Sequence, residues 1–121
     1  MISFTIPLPP ITKKNSQRIL INKKTNKPFI APSKQFKEYE EACGYFIKGK
    51  GEKIDYPVTV RCVYYMPTKR RVDLTNLLEA THDILVKYEV LADDNSGIIY
   101  SVDGSRVLYD KDNPRTEVEI L

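Results

Sequence analysis

Residues 73–94 read DLTNLLEATHDILVKYEVLADD, and the spacing inside this stretch decides how the rest of the chain has to fold. Leu74, Leu77, Leu78, Thr81, Ile84, Leu85 and Tyr88 recur at the three-and-four interval that makes one apolar stripe of a helix. Asp73 stands just before the first of them, where a carboxylate can accept from the unpaired amides of a first turn. At about 100° per residue, Asn76, Glu79 and Asp83 fall opposite the stripe and point away from the core. The stretch closes on an adjacent acid pair, Asp93 and Asp94, with Val90, Leu91 and Ala92 placed to anchor the turn.

These acids have two readings. Any amphipathic helix has a polar face, Asp73 can be a cap and nothing more, and Asp83 can pair with Lys87 four residues on. Against this, Glu79 and Asp83 are themselves four apart, a like-charge spacing that costs about 0.2–0.5 kcal/mol unless something sits between them. A divalent cation offsets that repulsion and the one between Asp93 and Asp94. Hard ions such as Mg²⁺ are held by one or two carboxylates plus water and phosphate oxygens.

Around this centre, 121 residues with 41% hydrophobic and 29% charged content are enough for one core, and a single domain spanning 1–121 is expected. The opening ISFTIPLPPI is broken by Pro7, Pro9 and Pro10 and has no basic lead, so neither a signal peptide nor a membrane span is expected, and the location expected is cytoplasmic. Cys43 and Cys62 lack zinc or disulfide spacing and read as reduced core residues. His82 is the only histidine and reads as structural or surface rather than as a ligand. Neither a Gly-rich phosphate loop followed by lysine nor a GxSxG elbow occurs, which removes the main support for NTP hydrolysis, serine-esterase chemistry and a nucleotide cofactor.

Charge is distributed unevenly. From Met1 through Lys37 there is no Asp or Glu, while Lys13, Lys14, Arg18, Lys23, Lys24, Lys27, Lys34 and Lys37 are basic, so the net charge of +3 conceals a basic start and an acidic remainder. A solvated loop would explain the run. So would a polyanion drawn toward an acid-held metal, with lysines neutralising its phosphates. Lys69, Arg70 and Arg71, just ahead of Asp73, either neutralise the acids or grip a nucleic-acid backbone beside the bond being cut.

The remaining elements follow in order. Ser3 to Leu8 reads as a strand ended by Pro9-Pro10, and Ile19 to Asn22 with Pro28 to Ala31 reads as two short arms around KKTNK. Ser33 caps a helix expected from Lys34 to Lys48, and Val58 to Met66 reads as a central strand between Pro57 and Pro67. Ile98 to Val102, Arg106 to Tyr109 and Thr116 to Leu121 read as closing strands, with Arg106 to Tyr109 expected to pair with Glu117 to Leu121. The order β, basic loop, α, β, α, β, β predicts an α+β, two-layer domain in which a mixed β-sheet is packed by two helices.

The run RRVDLTNLLEATHDILVKYEVLADDN resembles the RusA-like Holliday junction resolvases, small phage and prophage endonucleases with a motif close to D-x-D-N-L-x-K-A, a helix and an Asp-Asp pair. The first strand ending in PxPP, Lys14 and Asn15 in the basic loop, Tyr65-Met66-Pro67 before the arginines, and the closing NPRTEVEI extend the likeness. The resemblance implies a homodimer that binds four-way DNA junctions and nicks two strands symmetrically in recombination and repair, using Mg²⁺ or Mn²⁺ held by aspartates. On it, Asp73 and Asp94 match the first and last metal-binding acids, and Asp83 and Asp93 match acids that commonly accompany them. Thr75 stands where the motif has its second aspartate and Glu79 where it has a lysine.

With Glu79 compensating for Thr75, the expected catalytic set is Asp73, Glu79 and Asp94, with Asp83 and Asp93 completing the metal acids. The expected DNA contacts are Lys13, Lys14, Asn15, Arg18, Lys23, Lys24, Lys27, Lys69, Arg70 and Arg71. The alternative is a catalytically inactive branched-DNA-binding protein of the same fold.

Overall fold

The computed structural model describes residues 1–13, 17–49 and 53–121, and for residues 17, 18 and 30–32 the backbone only. Lys14 and Asn15 therefore lie outside the described residues, as does the side chain of Arg18. The elements are β1 (Ile2–Ile6), β2 (Gln17–Ile21), β3 (Pro28–Pro32), α1 (Lys34–Ile47), β4 (Val58–Met66), α2 (Leu74–Lys87), β5 (Ile99–Ser101), β6 (Arg106–Tyr109) and β7 (Arg115–Ile120). The expected α+β architecture is present, with two helices packed against a mixed sheet.

Five strands make that sheet, in the order β1-β7-β4-β5, with β6 also on β4. β7 runs antiparallel to both β1 and β4, while β5 and β6 run parallel to β4. Strand alternation puts every second side chain on the covered face, and the register aligns these into rows: Ile2, Ile120 and Val60; Phe4, Val118 and Cys62; Ile6, Thr116 and Tyr64. Onto these rows α1 lays Phe36, Tyr39, Cys43 and Ile47, and α2 lays Leu77, Leu78, Ala80, Thr81, Ile84 and Leu85. Thr81 donates to the Leu77 carbonyl at 3.1 Å, which leaves its Oγ1 to accept from the Tyr64 hydroxyl at 2.7 Å. A buried polar pair thus fixes α2 over β4.

The two helices close on each other through Gly44. A Cβ there would stand 2.6–2.8 Å from the Tyr88 ring, so only glycine lets Tyr88 reach across and donate to the Glu40 carbonyl at 3.0 Å. Lys87 pairs with the Glu40 carboxylate at 2.6 Å on the same seam.

One expected pairing is not formed. Arg106–Tyr109 does not pair with the last strand: β6 and β7 flank β4 on opposite sides. β7 is paired on both sides, by β1 and β4, and alternates Thr116, Val118 and Ile120 into the covered face, whereas β6 is paired to β4 and exposes Arg106, Leu108 and Tyr109 as an edge does. The crossing is held by Arg115, whose guanidinium lies 3.7 Å from the Tyr65 ring centre and bonds Asp110 at 2.9 Å and Glu117 at 3.2 Å. Where β4 changes partner from β5 to β6, the Ser105 hydroxyl accepts from the Cys62 amide at 3.0 Å, so the interrupted ladder leaves no orphan there.

β2 and β3 form a separate two-stranded sheet. Neither the core nor the side chains packed against it include Ile19, Leu20, Ile21 or Phe29. Both cysteines are free and buried, and burial pushes the thiols up to about 11 for Cys43 and about 12 for Cys62.

Candidate nuclease site

The helix that carries most of the acids begins as its sequence requires, with one difference. Asp73 is the N-cap residue of α2 with extended backbone, yet its carboxylate accepts no amide hydrogen of the first turn; it meets only the Asn76 side-chain amide, at 3.3 Å. The expected cap bond is thus replaced by an Asp73–Asn76 contact, and the carboxylate stays exposed at the mouth of the helix. Glu79 is exposed farther along α2, and Thr75 is exposed beside Asp73.

The far end of α2 returns the chain toward its own polar face. Val90 N–H bonds the Leu85 carbonyl at 2.9 Å and Glu89 N–H bonds Val86 at 3.1 Å, the two bonds of a Schellman turn. Glu89 takes the left-handed φ of 60° that this turn demands. Ile54 then locks the exit, donating to the Val90 carbonyl at 2.9 Å and accepting from Ala92 at 2.8 Å, with Val90 and Leu91 buried beneath. Asp93 and Asp94 follow directly and are exposed. Asp93 is partly engaged by local bonds, from the Asp94 amide at 2.7 Å and the Asn95 side chain at 3.2 Å.

His82 lies on α2 beside Asp83 in the sequence. It is half-buried and its Nε2 is buried without a hydrogen-bond partner. Burial lowers its pKa, opposed by the nearby negative charges of Asp94 and Asp83. The charges of Asp94, past the turn, and of Asp83, on α2, are thus both felt at this imidazole.

Asp83 itself does not pair with Lys87 four residues on. Its carboxylate is ion-paired with Lys13, from the segment after β1, and Lys87 is taken by Glu40. A predicted DNA-binding lysine and a predicted metal acid therefore meet, across a sequence separation of 70 that no local spacing could signal. Among the described residues, Glu79 and Asp94 make no ion pair, and no three His, Cys, Asp or Glu side chains stand close enough to enclose a metal ion. The donor chemistry nevertheless fits Mg²⁺ held sparsely, since exposed hard oxygens in ones and twos, completed by water and phosphate, are how that ion binds.

Cations border the acids. Lys69, Arg70 and Arg71 are exposed on the segment joining β4 to α2, with Lys69 set 5.3 Å over the Tyr109 ring. Arg70 and Arg71 also line a polar cleft of about 340 Å³ with Thr12, Gln35 and Thr68. Lys23, Lys24 and Lys27 lie at the exposed tip of the β2–β3 arm. Only Val72 separates Arg71 from Asp73, so the segment that carries the arginines leads into the carboxylate at the mouth of α2.

A mixed-sheet domain with exposed carboxylates at the mouth, on the flank and past the exit of one helix, Asp73, Glu79 and Asp93-Asp94, bordered by exposed cations, has the make-up of a protein that acts on a polyanion. Residues 7–121 match the family model described as Endodeoxyribonuclease RusA, nearly the whole chain, and the protein belongs to that family of Holliday junction-resolving endonucleases. Comparison with curated proteins finds no match. Among the described residues, no helix is long and apolar enough to cross a membrane.

Proposed function

We propose that the protein is a divalent-cation-dependent endonuclease that resolves four-way DNA junctions by paired symmetric nicks, acting as a homodimer. The observation that carries this reading is the Asp73 carboxylate, which sits at the N-cap of α2 without bonding the helix amides and is separated from two exposed arginines, Arg70 and Arg71, only by Val72. Asp73, Glu79 and Asp94 would hold Mg²⁺ or Mn²⁺, with Asp83 and Asp93 in supporting positions. When bound, such an ion supplies Lewis acidity toward a phosphoryl oxygen and an attacking water.

The protein's own groups bind and orient. Arg70 and Arg71 hold the backbone beside the scissile bond, Lys69 extends that grip, and the arm lysines neutralise phosphates farther along. Glu79 restores the carboxylate that Thr75 lacks, and two copies related by a two-fold axis would deliver the paired nicks that a symmetric junction requires.

A labelled synthetic four-way junction incubated with Mg²⁺ or Mn²⁺ tests this directly. Wild type is expected to give symmetric nicks, and Asp73→Asn and Glu79→Gln are expected to lose them by about a hundredfold or more while retaining junction binding. A second reading, a catalytically silent junction-binding protein, is favoured by Thr75 and by the lack of a three-ligand cluster among the described residues. Junction binding that Mg²⁺ does not change, with no nicked product under either metal, would establish that reading instead.

A further inference from the structure

The β2–β3 arm exposes large apolar side chains that the fold leaves uncovered. Ile19 is 74% exposed, Ile21 64% and Phe29 45%. The antiparallel register puts Ile19 and Ile21 on one face, with Pro28 opposite Ile21, and sets Phe29 across from Leu20 on the other. An isolated two-stranded ribbon is marginal in water, so apolar chains on both of its faces do nothing for the arm by themselves. They mark a surface meant to be covered.

The tip identifies what covers it. Asn22 organises the turn: its amide bonds the Lys27 carbonyl at 2.9 Å, its carbonyl accepts from Asn26 at 2.7 Å, and its side-chain oxygen accepts from the Lys24 amide at 2.9 Å. Lys23, Lys24 and Lys27 are thereby presented together at the end of the ribbon, and no Asp or Glu occurs before Glu38 to neutralise them. Two such arms meeting face to face would set lysine against lysine. A nucleic acid offers phosphates to the tip and flat apolar base faces to the flanks.

We propose that the β2–β3 arm is a wedge for the crossover of the junction, with Phe29, Ile19 and Ile21 covering bases that are unstacked there while Lys23, Lys24 and Lys27 clamp the flanking backbone. Apolar side chains inserted between base steps are a general means of opening stacked DNA. A five-residue ribbon reaches about 17 Å, enough to enter a crossover while the exposed carboxylates engage a strand outside it. The wedge assigns shape selectivity to the apolar residues and general affinity to the lysines. It rests on the junction binding proposed above and is independent of cleavage.

The test uses the full chain in EDTA with a synthetic four-way junction carrying 2-aminopurine at the crossover, beside a linear duplex of the same arms. Wild type is expected to bind the junction and raise the 2-aminopurine fluorescence. Ile19→Ser/Ile21→Ser and Phe29→Ala are expected to lower junction affinity about tenfold, abolish the fluorescence rise, and leave duplex affinity and the salt slope of binding unchanged. Lys23→Gln/Lys24→Gln/Lys27→Gln is expected to weaken both substrates and to reduce the salt slope by about one per lysine.

Apolar variants that bind and brighten the junction like wild type would overturn the wedge. Apolar variants whose mass by light scattering shifts relative to wild type would show that a second copy covers the arm, which overturns it equally. Wild type that binds no junction refutes the function proposed above and the wedge with it, whereas junction binding without nicks leaves the wedge standing.

Discussion

In the helix-covered sheet, an apolar side chain is surrounded by others; in the β2–β3 arm, side chains of the same kind face solvent. Leu85 is fully buried between α2 and the sheet, while Phe29 is roughly half exposed on a ribbon that shares no strand with that sheet. The body spends its apolar residues on stability and positions acids on its rim. The arm contributes little to stability and leaves its apolar residues for a partner. Truncation should therefore have opposite consequences in the two regions.

The largest effect expected is on the body. Leu85→Ala should destabilise the protein by about 2–5 kcal/mol, measured by urea unfolding, while Phe29→Ala should change stability by no more than about 0.5 kcal/mol. A Phe29→Ala cost above about 1 kcal/mol would erase the distinction between the two regions.

Alkaline unfolding sharpens it next. Burial raises Cys43 to about 11 and Cys62 to about 12 and pushes Tyr39 and Tyr64 upward as well. Groups whose folded pKa lies above the unfolded value contribute stability that is complete below the unfolded value and is lost as pH rises toward the folded one. Stability should accordingly fall from about pH 9 upward. Cys62→Ala should flatten that decline, and arm variants should leave it untouched, as pH-dependent melting would show.

Gly44→Ala is expected to have a smaller effect. Crowding Tyr88 costs about 1–3 kcal/mol, and the better helix propensity of alanine returns up to about 1 kcal/mol. Tyr88→Ala in the same chain should relieve the crowding and make Gly44→Ala neutral or stabilising, a cycle readable by thermal unfolding. The smallest effect belongs to the Lys13–Asp83 pair, whose side chains are 29% and 32% exposed. Lys13→Gln should cost less than about 1 kcal/mol.

The body was far more legible in the sequence than the arm's purpose. α2 spans Leu74–Lys87 because an apolar stripe repeated through Leu77, Leu78, Ile84 and Leu85 has only one helical solution, and β4 occupies Val58–Met66 because two prolines bracket a β-branched run. Local spacing also located Lys23 to Lys27 as the connection between two short arms. What it could not reach was long-range. Lys13 meeting Asp83 depends on how the segment after β1 lies against α2, and β7 lying on the side of β4 away from β6 depends on pairings between strands distant along the chain. Nor could composition reveal that Asp73 leaves its cap bond unmade. Its partner Asn76, three residues on, was visible only as another polar position on the same helix.

The place of β7 governs the order in which the molecule comes into being. Among the described residues β1 has β7 as its only strand partner, with Ile2 opposite Ile120, so the first strand made waits for the last one before it can join the sheet. Contacts so distant along the chain slow folding, because loop closure precedes any stabilising return. The late strand also sits between β1 and β4, so sheet completion and coverage of the β4 face by α2 become parts of one cooperative event. A chain interrupted before Arg115 lacks the strand that joins β1 to β4, so the sheet beneath the two helices is complete only once the last strand is made.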